Sequence, residues 1–380
     1  MKNLRIVLVT GNYNHIPDGV SLTLNRLVRH LEQVGYEVLI IAPTIENPPI
    51  QHAGRLFAID SISMPGRDEY RFTLCLPHVA KEEILKFKPD LIHIATPDLA
   101  GLGALLLGME YNIPIVSSYH THFSSYLDYY GISWIEPMLW KYLKFFYKNS
   151  VHTYVPSQSM IEGLKQHGID FDLRIWARGI DTQRFNRKKR DMAWRRSLGI
   201  SDSDILVTLV SRLVWEKEME TLRMTFNSLQ KSGKPIRTMV VGDGPAGEEL
   251  RYTMPDTLFL GHQSGDDLAR SYASSDVFMF PSISETFGNV TLEAMASGVP
   301  AVVANAQGNN SLVRNGYNGF LVTPKDSAEF ARKIIEIAEN SDLRTDMSRN
   351  ATEFASKFTW DRIFSDLTDN YCRAIEEYRR

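Results

Sequence analysis

Two carboxylates stand eight residues apart in SETFGNVTLEAMASGVP, Ser284–Pro300. Glu285 precedes an apolar run and Glu293 lies inside it. A helix beginning near Gly288–Asn289 leaves Glu285 in the preceding loop and carries Glu293 within itself. The amides around Phe287, Gly288, Asn289 and Val290 then have no intrahelical acceptor, a setting that suits an anion. A carboxylate inside that helix could accept hydrogen bonds from a ribose diol. Its surroundings, LEAMASGVP, are small and apolar for a solvated face, and burying an unpaired carboxylate is costly.

Two cations follow another apolar run in VSRLVWEKEMETL. Arg212 offers a planar fork and Lys217 a point charge, a pair that suits a diphosphate; solvated surface charges are the plainer use. In VVGDGP, Gly242, Gly244 and Pro245 force a sharp turn with bare backbone, as any tight turn after a strand would. His120 and His122, in SSYHTHF, share a face of an extended segment. No third ligand accompanies them at zinc spacing, which leaves substrate contact or a structural role. GNYNHIPDGVS carries glycines but not G-x-G-x-x-G, so a dinucleotide fingerprint is missing where it would stand. Gly19 precedes a helix whose expected N-cap is Ser21. It would let a backbone N–H approach a phosphate, or serve only the turn.

These residues all follow short apolar runs. LRIVLVT, EVLIIAP, KPDLIHIATP, IPIVSSYHTH and HTYVPS read as buried strands in the first half of the chain. ILVTLVSRL, IRTMVVGDGP, TLFLGH, DVFMFPS, PAVVAN and NGFLVTP do so in the second. Amphipathic segments such as SLTLNRLVRHLEQVG separate them, so the expected class is α/β, with parallel βαβ units in two doubly wound halves. Length agrees, because 380 residues exceed the roughly 250–300 at which single cores stop growing. The polar, basic stretch Arg178–Arg196 reads as a linker. Ligands of such sheets bind at the carboxyl ends of the strands, and a cleft between two sheets is the natural site.

Composition excludes several classes. A formal net charge of -3 supplies no cationic field for nucleic acid. Cys75 and Cys372 match no metal-ligand spacing and fit a reducing cytoplasm. The first residues lack the apolar core of a signal peptide, and no run reaches the ~18–20 apolar residues needed to span a bilayer.

Taken in order, the motifs resemble family-4 retaining glycosyltransferases, whose E-x7-E signature matches Glu285 and Glu293. The resemblance covers nearly the whole chain: P-x-G-V at Pro17–Val20, YHTH at Tyr119–His122, RGID-x-x-RF at Arg178–Phe185, S-R-L-x-x-E-K at Ser211–Lys217, GDGP at Gly242–Pro245, NG-x-NGFLV at Asn315–Val322 and FTWD at Phe358–Asp361. It implies the GT-B fold, two Rossmann-like domains facing across a cleft. Residues 1–178 would bind acceptor, 190–360 would bind donor, and a final helix from about 361 to 380 would cross back to the first domain. Arg212 and Lys217 would hold the nucleotide diphosphate and stabilise the leaving group, Glu293 the ribose. Glu285 and the amides of Phe287–Val290 would meet the donor sugar, and Gly242 would line the donor site. His120 would face the reacting sugar, Gly19 would approach the diphosphate, and Asp18 and His122 would lie toward the acceptor. No metal and no cofactor is implied, the nucleotide sugar being a substrate, and no Asp-x-Asp is read as a metal site. Retention of configuration also rests on the resemblance. The chain departs from the pattern at Ser211, Glu218 and Asp18, where the family often has glycine.

The YHTHFSSYLDYYG and W-x-x-P-x-LWKYLKFFYK blocks are similar to the subgroup that makes lipid-linked sugars, α-mannosyltransferases and sulfoquinovosyl or glucosyl transferases. That favours GDP-mannose as donor, a UDP-sugar next, and a lipid or glycan hydroxyl as acceptor. Trp134–Lys148 is aromatic, with Lys141, Lys144 and Lys148 along one helical face. It could rest in a headgroup layer or bury its aromatics in the core. The expected location is cytoplasmic, with the inner face of the cell membrane as the contact this helix would make. The rival readings are a GT-B nucleotide-sugar epimerase and a non-catalytic sugar-nucleotide-binding protein.

Overall fold

A computed structural model describes residues 3–64, 67–120 and 133–380. The chain forms two compact units, Met1–Ala177 with Ile363–Arg380, and Arg178–Arg362.

In the first unit, β1 (Arg5–Val9), β2 (Glu37–Ala42), β3 (Arg55–Ala58), β6 (Leu91–Ile94), β7 (Ile115–Ser118), β8 (His152–Val155) and β9 (Leu173–Ile175) make one sheet. Its order is β3-β2-β1-β6-β7-β8-β9, and every pairing is parallel. The central strands are covered on both faces, which is why they read as unbroken apolar runs. Val7, Val9, Ile92 and Ile94 are fully buried. At ~1.5–3 kcal/mol for each such side chain, the β1–β6 seam is a firm anchor for the loops that leave it. Between β3 and β6 lie an antiparallel hairpin, β4 (Ile62–Met64) with β5 (Arg67–Phe72), and the helix His78–Phe87.

The second unit repeats the plan. β10 (Ile205–Val210), β11 (Ile236–Val241), β12 (Leu258–Phe259), β13 (Val277–Phe280), β14 (Ala301–Ala304) and β15 (Gly319–Val322) run in the order β12-β11-β10-β13-β14-β15. All its pairings are parallel. The strand order reverses direction between β1 and β6 in one sheet and between β10 and β13 in the other. At such a switch point the neighbouring loops diverge and leave a crevice.

The stretch Arg178–Arg196 is not a linker. It belongs to the second unit and contains the helix Met192–Ser197, capped by Asp191. Two of its arginines are spent inside: Arg190 and the fully buried Arg195 each hold one oxygen of Asp276 at 2.7 Å. Arg195 also donates to the carbonyls of Ser274 and Asp204. A basic, turn-rich composition disguised a packed segment.

The last helix, Trp360–Tyr378, buries Phe364, Leu367, Tyr371, Ala374 and Ile375, a stripe at helical spacing. From Ile363 onward it is part of the first unit. Tyr371 meets His93 at 2.6 Å, and Glu377 meets His152 at 2.7 Å and Arg174 at 3.1 Å.

Candidate active site

The loops leaving β10 and β13 bring the second unit's chemistry to its switch point. Lys217 closes a short 3-10 turn after β10, and its ammonium lies 2.5 Å from Glu285 Oε1 and 3.3 Å from the Ser284 hydroxyl. Ser282 donates to the same carboxylate oxygen at 3.2 Å. Both partners of the ion pair are largely buried. Arg212, five residues earlier, is exposed.

Directly after Glu285 the chain turns into the helix Asn289–Ala296. Its N-cap is Gly288, in the left-handed region at φ 96°, and no side chain caps this end. The helices that begin at Gly19, Leu99, Gln158, Met192, Ser327 and Ser341 all have side-chain caps. Here the first-turn amides of Asn289 and Val290 stay available for an anion. Phe287 is buried against Phe358 and faces away from solvent. Glu293, one turn in, accepts the Tyr272 hydroxyl at 2.9 Å. Burial, reinforced by that carboxylate, holds the Tyr272 phenol well above its ordinary value.

Residues that sequence reading passed over shape this loop. Gly308 takes φ 81°, and a Cβ there would fall 2.6 Å from the Glu285 carbonyl. Asn309 donates to the Ser282 carbonyl at 3.1 Å and accepts from Thr291. The glycine and asparagines of AQGNN, directly after β14, were the available signal.

Gly242 has a packing role. A Cβ there would sit 1.9 Å from the Ser211 carbonyl, and one on Gly244 2.3 Å from the Leu213 carbonyl. The two glycines let the loops after β10 and β11 lie against each other, with Leu213 N–H on the Asp243 carbonyl at 2.9 Å. Glu218 adopts φ 58°, the conformation glycine favours, which gives a backbone reason for glycine at that place.

In the first unit the expected cap moves. Asp18, not Ser21, caps the helix Gly19–Gln33: its Oδ1 accepts from Ser21 N–H at 2.7 Å and its Oδ2 from Asn12 Nδ2 at 3.1 Å. Asp18 stands just before the first helical residue, where a side chain can reach the Ser21 amide, whereas Ser21, three residues on, is already inside the helix. The cap pulls the Asp18 side chain back into its own loop. Gly19 is exposed, and a Cβ on it would touch nothing within 4 Å. His120 follows β7, is 8% exposed and packs edge-on against Trp176 at 5.0 Å. His122 lies outside the described residues.

Two Asp-x-Asp stretches do occur, and their acids are engaged. Asp170 pairs with Lys165 and Asp172 with Arg174; Asp202 pairs with Arg196, and Asp204 accepts the Ser201 amide. His152, Asp172 and Glu377 bring ligand atoms within 4.8 Å of one another, but Arg174 sits on both carboxylates. A polar cavity of about 220 Å³ opens at the amino ends of β13 and β14, the opposite end of the second sheet from Lys217 and Glu285. Its Arg190 and Arg344 are spent on carbonyls at helix ends, so it is not the counterpart of the switch point.

Comparison with known proteins places this geometry. Residues 17–184 match the family described as Glycosyltransferase Family 4, and residues 191–354 match Glycosyl transferases group 1. The GDP-mannose-dependent alpha-mannosyltransferase of Corynebacterium glutamicum is 30% identical over 380 residues, 99% of this chain and 90% of that protein. This chain belongs to glycosyltransferase family 4. The sulfoquinovosyl transferase SQD2 of Arabidopsis thaliana is another relative of this glycosyltransferase, 31% identical over 95% of the chain and 72% of the plant protein. Sucrose-phosphate synthase from Thermosynechococcus elongatus shares its fold, with a TM-score of 0.78 at 21% identity over 98% of this chain and 100% of that one. The glycosyltransferase therefore has the GT-B fold, as its motifs implied.

Proposed function

We propose that this glycosyltransferase moves a hexose from a nucleoside-diphosphate sugar to a hydroxyl of a lipid or glycan, with retention of configuration and without a bound metal. GDP-mannose is the favoured donor and a UDP-sugar the next. The observation that carries the reading is the switch point of the second unit, where Lys217, Glu285 and an uncapped helix start converge. The named relatives, one of them GDP-mannose-dependent, support the donor class.

The chemistry follows from where charge develops. The bond from the sugar's anomeric carbon to the diphosphate breaks, and a bond to the acceptor oxygen forms on the same face. The acceptor's proton passes to a diphosphate oxygen. Negative charge grows on the leaving group, so fixed donors there act on the transition state, commonly worth ~10²–10³ in rate for each. Arg212, Lys217 and the amides of Asn289 and Val290 fill that part. Glu293 takes the ribose hydroxyls, beside Tyr272. Glu285 holds Lys217 and reaches the donor sugar. Gly19 gives the diphosphate backbone access, and His120 contacts the reacting sugar. Asp18, spent as a cap, shapes the acceptor side through its loop.

The acceptor's class is supported by the helix Glu136–Lys148. Leu143, Phe146 and Tyr147 are buried, whereas Trp134, Met138 and Phe145 stand 78%, 69% and 46% exposed, among the exposed Lys141, Lys144 and Lys148. Apolar side chains beside lysines suit an anionic bilayer surface. No helix among the described residues is long and apolar enough to cross a membrane.

Thermal unfolding with GDP, UDP, ADP and GDP-mannose tests the donor reading. A nucleotide at 100 times its Kd adds ~2.7 kcal/mol of stability, and Lys217→Ala and Glu293→Ala should each shrink that gain. No stabilisation by any of the four would refute the assignment.

A further inference from the structure

Behind His120 the first unit holds a buried train of side chains that ends on the C-terminal helix. His93, on β6, is fully buried. Its Nδ1 lies 2.6 Å from the Tyr371 hydroxyl and its Nε2 lies 2.6 Å from the Ser118 hydroxyl. A neutral imidazole offers one donor and one acceptor nitrogen, so a single tautomer satisfies both contacts. Burial pushes the His93 ring down to about 3, which keeps it neutral and two-sided. Ser118 closes β7, two residues before His120. Trp176 stands edge-on to both rings, 5.0 Å from His120 and 5.5 Å from His93. His93 thus reaches His120 by two routes, through the strand end at Ser118 and through the wall that Trp176 makes. Tyr371, 278 residues further along the chain, fixes the hub.

We infer that Tyr371 and His93 are positioning residues for His120, so that the C-terminal helix sets the orientation of the histidine that meets the reacting sugar. The inference rests on the role given to His120 above. Misplacing a reacting group by 1 Å costs on the order of 100-fold in rate, so a loosened hub should register in turnover as well as in stability.

The test uses the full chain. Tyr371→Phe keeps the ring and removes the hydroxyl; His93→Phe keeps a ring against Trp176 and removes both hydrogen bonds, and serves if the first variant folds poorly. Phe364→Leu, on the same helix against His30, is the control for general loosening. With histidine ring carbons labelled, the NMR signal of His120, assigned by its loss in His120→Ala, should move in Tyr371→Phe and stay in place in Phe364→Leu. Release of GDP from GDP-mannose, or of UDP from UDP-glucose, on diacylglycerol vesicles should show kcat lowered by up to about 100-fold, with donor KM unchanged. In a His120→Ala background the same change should have no further effect on kcat, since coupled residues are not additive. An unmoved His120 signal, or a kcat loss that persists in that background, overturns the inference. Full turnover by His120→Ala would overturn the role of His120 and this inference with it, while nucleotide-induced stabilisation would still report on the donor site.

Discussion

Gly19 and Gly242 both lie in loops that follow strands, and they are glycine for opposite reasons. A Cβ on Gly242 would collide with the Ser211 carbonyl at 1.9 Å, and its φ of 133° is closed to other residues. A Cβ on Gly19 meets open space, and its backbone is helical. Gly242→Ala should therefore cost stability, by 2 kcal/mol or roughly more, whatever the substrate. Gly19→Ala should leave stability unchanged or raise it by up to ~1 kcal/mol, while lowering turnover and nucleotide affinity. Urea unfolding read beside donor binding separates them: a Gly19→Ala variant with normal affinity would mean this glycine serves only the turn. The sequence distinguishes neither glycine, because the discriminating fact is a neighbour some 30 residues away or none at all. The same limit hid Gly308, Asn309 and Tyr272, which act on Glu285, Ser282 and Glu293 from other loops and helices. The ion pair of Lys217 with Glu285 joins residues 68 apart and leaves no local mark in the sequence, for the same reason.

Elements were legible where burial on both faces made them monotonous. β1, β2, β6, β10, β11, β13 and β14 are apolar runs bounded by turn residues, and reading them needs only that pattern. The half-exposed edge strand Arg55–Ala58, the three-residue β9 and the β4–β5 hairpin carry no such signature. Arg178–Arg196 misled because Arg190 and Arg195 look solvated in the sequence and are instead tied to Asp276, which also accepts the Leu206 amide at the start of β10 at 2.8 Å. Removing one partner of such a buried cluster commonly costs 3–5 kcal/mol by leaving a charge uncompensated; roughly that loss is expected for Asp276→Ala, read as a lowered urea midpoint, with nucleotide affinity intact in the folded fraction. The helix Glu136–Lys148 makes a second prediction at this scale. Each lysine near an anionic surface is worth about 1 kcal/mol, so replacing Lys141, Lys144 and Lys148 together by glutamine should weaken binding to phosphatidylserine vesicles roughly 100-fold. Flotation at low and high salt measures it; a wild-type chain that stays off such vesicles at low salt ends the membrane reading.

At the scale of the whole molecule, acid should act first through histidines the first unit keeps neutral. Burial lowers His93 to about 3, and burial also lowers His15 and His152, the latter against the opposing pull of its hydrogen bond to Glu377. The sign follows from proton binding. The folded chain takes up protons on these rings at lower pH than the unfolded chain, which protonates them below about pH 6.5. Their contribution is therefore complete above pH 6.5 and declines as the pH falls below it, His93 continuing to do so down to about pH 3. The carboxyl of Glu377, held low chiefly by its hydrogen bond from His152, adds in the same direction at lower pH. Each such ring steepens the loss by ~1.4 kcal/mol per pH unit across its own window. Urea unfolding between pH 6 and 4 should accordingly show a slope one proton smaller in His93→Phe than in the wild type. An unchanged slope would mean that His93 accepts a proton in the folded chain. Because His93 and His152 seat Tyr371 and Glu377, acid should also expose the amides of the helix Trp360–Tyr378 to hydrogen exchange before those of the central strands β1 and β6, and a loss of protection that begins in β1 would place the weak point elsewhere.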